Sequence, residues 1–351
     1  MGPIQRLVGT CLAWAATAAA LAQVAQPLPT SGPAAQPGKV VAFIASDFRN
    51  GGVMGVYRGL EEAARTLGWK LTLEDGKGEP ATQAQLLQAA IRAGAQGVVF
   101  GGFDPKDFAA VVASARQSRT VLVGWHAAKD PGPTADLFVN VSTHATDVAR
   151  IAAEYVIHHA RAAKQPLGVV LFNDNQFDVA NAKTAAMQKT IEACPGYTGC
   201  KVLVVENVKI SDAAQAIPAV VPKLLAAHGA AWTYTLAIND VYFDAINFPL
   251  LQAKHTDIRN VSAGDGSSKA LGRIGAGVSQ QIATVAEPLK LHGYQLADEL
   301  NRAFAGAPPS GFQSQPILVT AEVLRVTGTP GLDSSLGFEA TYAALWKRRA
   351  P

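Results

Sequence analysis

From Lys39 onward the chain alternates between short, wholly apolar runs and longer stretches in which apolar residues recur every three or four positions. Apolar runs bounded by turn residues predict buried strands, and the longer period predicts one-faced helices. The first pair is a strand at Val40–Ala45 and a helix from about Val53 to Leu67, where Val56, Leu60, Ala63 and Leu67 share a face and Gly68 stops the helix. A strand at Lys70–Glu74, a helix near 82–93, a strand at Gly97–Phe100, a helix near 105–118 and strands at 120–124 and 137–141 complete a first block. A second block begins with a helix at 146–162 and continues with strands at 167–172, 201–206, 234–238, 258–263 and 281–288, most of them separated by helices. A long helix at 289–304, a strand at 316–324 and a closing helix at 338–346 end the chain. Strands separated by helices of roughly 10–15 residues imply parallel sheets covered on both faces.

The ends of these strands are polar. Asp47, Phe48 and Arg49 follow the first strand, Asp104 follows Gly97–Phe100, and Trp125-His126 follow the strand at 120–124. In the second block the tips are Asp174-Asn175, with Phe177 and Asn181 just beyond, then Asn239-Asp240, Asp265 and Glu287. Ligands of open α/β sheets sit at the carboxyl ends of the strands, so these residues are the candidate site. The blocks correspond: Asp47 to the Asn173-Asp174 tip, Asp104 to Asp240, and Trp125-His126 to Gly264-Asp265. Two such halves facing one another would enclose a cleft lined from both sides.

The length of 351 residues allows two lobes with sizeable cores. A net charge of +3, with basic residues scattered, gives no reason to expect a nucleic-acid partner. Arg6, the apolar run Leu7–Leu21 and the small-x-small site Ala20-Leu21-Ala22 predict a cleavable signal peptide over 1–22 and a periplasmic protein. Residues 23–38, rich in Pro, Ala, Gln and Gly, predict a flexible leader. Cys11 would leave with the signal. Cys194 and Cys200 read as a disulfide closing a short turn in an exported protein, with free thiols or half a zinc site as alternatives. Dinucleotide-loop, phosphate-loop, nucleophile-elbow and zinc-protease patterns do not occur, so neither an enzyme nor a cofactor nor a metal is expected.

Ala237-Ile238-Asn239-Asp240, Ser262-Ala263-Gly264-Asp265-Gly266, Val285-Ala286-Glu287-Pro288 and the Phe103-Asp104 pair together resemble the type I periplasmic solute-binding proteins, the ribose- and galactose-binding group of ABC importers, over about residues 38–325. The resemblance implies two Rossmann-like α/β lobes with parallel sheets, joined by three crossovers near 141–144, 286–289 and 320–324. The first lobe would hold 38–142 and 288–320, the second 143–287 and 321–351. It also implies a monomer that closes on a sugar or polyol and hands it to permease subunits in the inner membrane; a ligand sensor or a sugar-modifying enzyme are the alternatives. Asp104, Asp240 and Asp265 would accept from ligand hydroxyls, and Trp125, Phe48 or Phe177 would cover its C–H face. His126 stands where ribose-binding proteins place an Arg, Asn181 and Lys183 where another Arg is expected, and Glu287 where Gln is common.

Overall fold

The structure is a computed structural model describing residues 27–194, 197, 199–328, 333 and 336–347. The expected signal peptide and the first residues of the leader lie outside the described residues.

The apolar run Val40–Ala45 forms β1, with Val41, Phe43 and Ala45 in one core and Ala42 and Ile44 in another. A strand buried on both faces must be apolar throughout, which is why it shows no alternation. Around it lie β2 (Lys70–Asp75), β3 (Gly97–Gly101), β4 (Val121–Trp125) and β5 (Asn140–Val141), in the order β2-β1-β3-β4-β5 and all parallel. Helices α1 (Gly51–Leu67), α2 (Pro80–Arg92) and α3 (Ala109–Ser118) connect them. The second lobe repeats the plan with β6 (Leu167–Asn173), β7 (Cys200–Asn207), β8 (Tyr234–Ala237), β9 (Arg259–Ser262), β10 (Gln281–Ala286) and β11 (Ile317–Thr320), in the order β11-β10-β9-β8-β6-β7. Its helices are α4 (Ala145–Ala163), α5 (Asp178–Ala193), α6 (Ala213–His228), α7 (Val241–Gln252) and α8 (Ser268–Ala276). Cys194, just after α5, is disulfide-bonded to Cys200 at the start of β7.

The chain passes between the lobes at 142–144 and again at 287–288. Then α9 (Leu289–Phe304) packs on α1 so closely that a Cβ at Gly293 would lie 2.3 Å from the Leu60 nitrogen and 2.4 Å from the Val56 oxygen. The expected domain boundary fails after this point. Ile317–Thr320 pairs antiparallel with β10 and so joins the second sheet, because β10 has an open edge on the side away from β9. The strand stops at Thr320, whose hydroxyl accepts from the Val323 N–H and caps α10 (Ala321–Thr327). The chain then returns, and α11 (Phe338–Lys347) sets Phe338, Tyr342 and Trp346 around Tyr294 of α9 in the first lobe. The third passage is therefore at 305–316, and a fourth follows α10.

The leader is held in place from Leu28 onward, contrary to the expectation for 23–38. Arg302 donates to the Ser31 carbonyl (2.5 Å), the Gln36 N–H to Asn301 Oδ1 (2.8 Å), and the Ala35 N–H to the Trp346 carbonyl (3.0 Å). The outer side of α9 carries Asp298, Asn301 and Arg302, all buried, and the leader and α11 supply their partners. Buried polar groups require such partners. Among the described residues, no helix is long and apolar enough to cross a membrane.

Candidate functional site

The carboxyl ends of β1, β3, β4, β6, β8 and β9 face one another across a cavity of about 70 Å³. At roughly 10–15 Å³ per water-sized centre, it admits a small molecule. The first lobe contributes Ser46, Asp47, Asn50, Trp125 and His126; the second contributes Asp174, Phe177, Lys183, Asn239 and Asp265. The lobes are in contact. A Cβ at Gly52 would lie 2.2 Å from Asp265 Oδ2, so only glycine lets the start of α1 meet this carboxylate. The helix N-terminus also favours the carboxylate's charge. At the rim, Arg49 donates to the Ser211 carbonyl (2.6 Å), and Lys106 pairs with Asp178 across the opening.

Asp265 is 3% exposed, and its Oδ2 accepts from Asn239 Nδ2 at 2.6 Å. Burial pushes its carboxyl up to about 6, against the pull of Lys183 and His126. Directly behind it, Asp240 is spent on structure. Its Oδ2 accepts from the backbone N–H groups of Asp265, Gly266 and Ser267 (3.0, 2.8 and 3.1 Å), and its Oδ1 accepts from Gln281 Nε2 (2.8 Å). Asp240 was expected to meet the ligand. At 1% exposure it instead holds the turn that presents Asp265.

A second buried group, Glu287, stands where the chain recrosses. Its Oε2 lies 2.9 Å from His126 Nε2 and accepts weakly from the Thr143 N–H of the other crossover (3.4 Å). Lys183 Nζ is 3.9 Å from its Oε1. Burial opposes ionisation of Glu287, but His126 and Lys183 outweigh it and hold the carboxyl well below the usual range. Its side chain has no exposed surface, so Glu287 supports the cleft wall rather than forming it. His126 has φ +48°, a left-handed conformation that costs a non-glycine residue about 1–3 kcal/mol. That turn stacks its ring on Trp125, centroids 4.2 Å apart. Trp125 Nε1 donates to His292 Nδ1 (3.0 Å), leaving the other ring nitrogen of a neutral His292 to donate to Ser314 Oγ (2.5 Å). Burial lowers His292 to about 4, against the pull of Glu287.

The other expected residues divide. Asp47 and Asp174 line the cleft, but Arg49 holds Asp47 through both oxygens, and Asp174 accepts from Gln176 and from the Ile210 N–H. Phe177 lines it and packs against cores of both lobes. Phe48 is 39% exposed and, like Arg49, sits outside the cavity. Asn175 is exposed, and Asn181 bonds its carbonyl and Asn173. Asp104 caps the turn Pro105–Phe108 by accepting from the Lys106 N–H, which keeps it at the rim. Of the three aspartates expected to converge, Asp265 alone faces the cavity.

Lys183 and Asn50 were not among the expected site residues. Lys183 falls in register with Ala180, Thr184, Met187 and Ile191 on the buried face of α5. A lysine on an otherwise buried helical face was the signal available. His126, Asp265 and Glu287 bring ligand atoms within 4.8 Å of one another, the spacing of a metal site. The Lys183 ammonium beside Glu287 already supplies positive charge there, which disfavours a metal ion.

A family model described as "Periplasmic binding protein domain" matches residues 41–308. No curated protein matches the chain in sequence. Among solved structures, the chain is similar to a Caulobacter myo-inositol binding protein bound to myo-inositol: 19% identity, TM-score 0.68, 84% of this chain and 97% of that one. It is also similar to an ABC transporter solute binding protein from Mycobacterium smegmatis with bound glycerol: 18% identity, TM-score 0.70, 83% and 96% coverage. A third is an ABC transporter solute binding protein from Agrobacterium vitis with bound allitol: 16% identity, TM-score 0.65, 83% and 98% coverage. At these identities the likeness concerns the fold.

Proposed function

The chain belongs to the periplasmic binding protein family, and on that premise we propose that it captures a small sugar or polyol between its lobes and delivers it to the permease of an ABC importer. The observation that carries this reading is the cavity at the meeting of six strand ends, with Asp265, Lys183 and Asn50 on its walls among apolar surface. A polyhydroxylated solute needs both acceptors and donors, and charged partners make its hydroxyl contacts about twice as strong as neutral ones. Closure removes those contacts from water. Phe177 and the His126–Trp125 stack offer apolar faces to C–H groups. Structures of similar fold hold myo-inositol, glycerol and allitol, solutes of this kind.

On this reading the protein binds its solute without transforming it, works as a periplasmic monomer, and meets the permease with both lobes closed. A thermal-shift screen of pentoses, hexoses, inositols and linear polyols tests it, because a ligand specific to the native state raises the melting point. Calorimetry on the best solute, with mass spectrometry after incubation, should give one site per chain and unchanged solute. No stabilisation by any sugar or polyol would refute the reading.

A further inference from the structure

Four ionisable groups meet at the inner end of the cleft. Lys183, His126 and Asp265 line it, and Glu287 stands behind them with no exposed surface. Glu287 Oε1 is buried without a hydrogen-bond partner, 3.9 Å from Lys183 Nζ. That separation carries charge attraction but no hydrogen bond. Among the described residues no hydrogen bond from the Lys183 ammonium is seen, and its side chain is 4% exposed. Its positive charge is therefore balanced from behind while its N–H groups remain for the cleft. The other acids on the wall are already occupied: Asp47 by Arg49, and Asp174 by Gln176 and the Ile210 N–H.

We propose that Glu287 sets the charge selectivity of the cleft. By offsetting Lys183 from behind, it makes the site one for an uncharged polyhydroxy solute and excludes sugar acids and amino sugars. This rests on the sugar-or-polyol reading above. An acidic solute drawn to Lys183 would enter beside Asp265, with Glu287 already balancing the lysine. An amine drawn to Asp265 would face the Lys183 ammonium. Like charges set together in an enclosed site repel one another, and an incoming ion loses its hydration as well. A neutral solute has neither penalty: one hydroxyl donates to Asp265 while another accepts from Lys183. Glu287 thus acts through Lys183 and His126 without touching the solute.

The test is calorimetry with matched trios: glucose, glucuronate and glucosamine, and galactose, galacturonate and galactosamine, together with myo-inositol and xylitol. The wild-type protein should bind neutral solutes at least tenfold more tightly than their charged counterparts. Glu287→Gln leaves Lys183 unbalanced and should shift the acid-to-neutral affinity ratio at least tenfold toward the acid. Glu287→Asp keeps the charge and should keep the wild-type ranking. Lys183→Met should shift the ratio toward the amine, and it serves as the test should Glu287→Gln fail to fold by circular dichroism. Wild-type preference for an acid or an amine would overturn the proposal, as would unchanged ratios in both charge variants. Binding of no neutral solute at all would instead refute the underlying function, and this inference with it.

Discussion

Asp240 is the sharpest test of how the site is built, because its position at a strand tip suggests a ligand contact and its hydrogen bonds say otherwise. Consider Asp240→Asn. The wild-type carboxylate accepts from three backbone N–H groups of the 265–267 turn on one oxygen and from Gln281 on the other. Gln281 cannot turn its amide over, because its oxygen accepts from Arg273 Nε (3.0 Å) and Nη2 (2.8 Å), and arginine has only donors. An asparagine that keeps its oxygen on the turn must point its NH₂ at the Gln281 NH₂. One bond becomes a donor–donor contact and the charge behind the others is lost. Hydrogen bonds to charged groups contribute about 1.5–3 kcal/mol, and a stranded buried donor costs about 1–3. We expect Asp240→Asn to destabilise by about 2–4 kcal/mol, lowering the urea midpoint by roughly 1 M or more at an m-value of ~2–3 kcal/mol/M. Adding Gln281→Glu should recover much of this, since a carboxylate there accepts from both Arg273 and the new NH₂. Urea unfolding followed by far-UV circular dichroism measures both. If Asp240→Asn unfolds with the wild type while solute binding disappears, the structural role assigned to Asp240 is wrong.

Asp265→Asn should behave oppositely, with binding weakened by about ten- to a hundredfold, the size of one charge-assisted hydrogen bond, and little change in unfolding; calorimetry beside urea unfolding separates the two variants. Because Asp265 titrates near 6, its carboxylate acceptor is present above that pH and is converted to a carboxylic acid below it. Affinity for a neutral solute should therefore fall as pH drops through about 6, and this step should be absent in Asp265→Asn; identical pH profiles would show that Asp265 is not the titrating acceptor. Lys106→Ala removes the rim pair with Asp178, whose partners are 50% and 59% exposed; exposed pairs contribute about 0–1 kcal/mol, so affinity should change less than about fivefold, and a larger loss would mean that the rim contributes more to closure than exposure implies.

Much of the fold was legible in the order of residues because strands buried on both faces must be apolar from end to end, and the helices covering them must be apolar on one face. Val40–Ala45 and Leu167–Phe172 carry that signal without ambiguity. The late part of the chain misled for a definite reason. Ile317–Thr320 reads as a strand wherever it pairs, and nothing local says that the open edge lies on the second sheet. The leader's proline-rich composition likewise gives no hint that Arg302 and Asn301 need its carbonyls.

The same division holds at the site. Sequence alone determined that two similar halves each carry polar residues at the ends of their strands, since that follows from hydrophobic period and the direction of parallel strands. Only the tertiary structure decided which tips reach the cavity. Asp240 and Asp265 are the same residue type and equally well placed along the chain. The first is enclosed by the backbone of the second's turn, while the second meets the glycine-bordered start of α1. Selection between them depends on which lone pairs are already taken, and that is a property of neighbours distant in the chain.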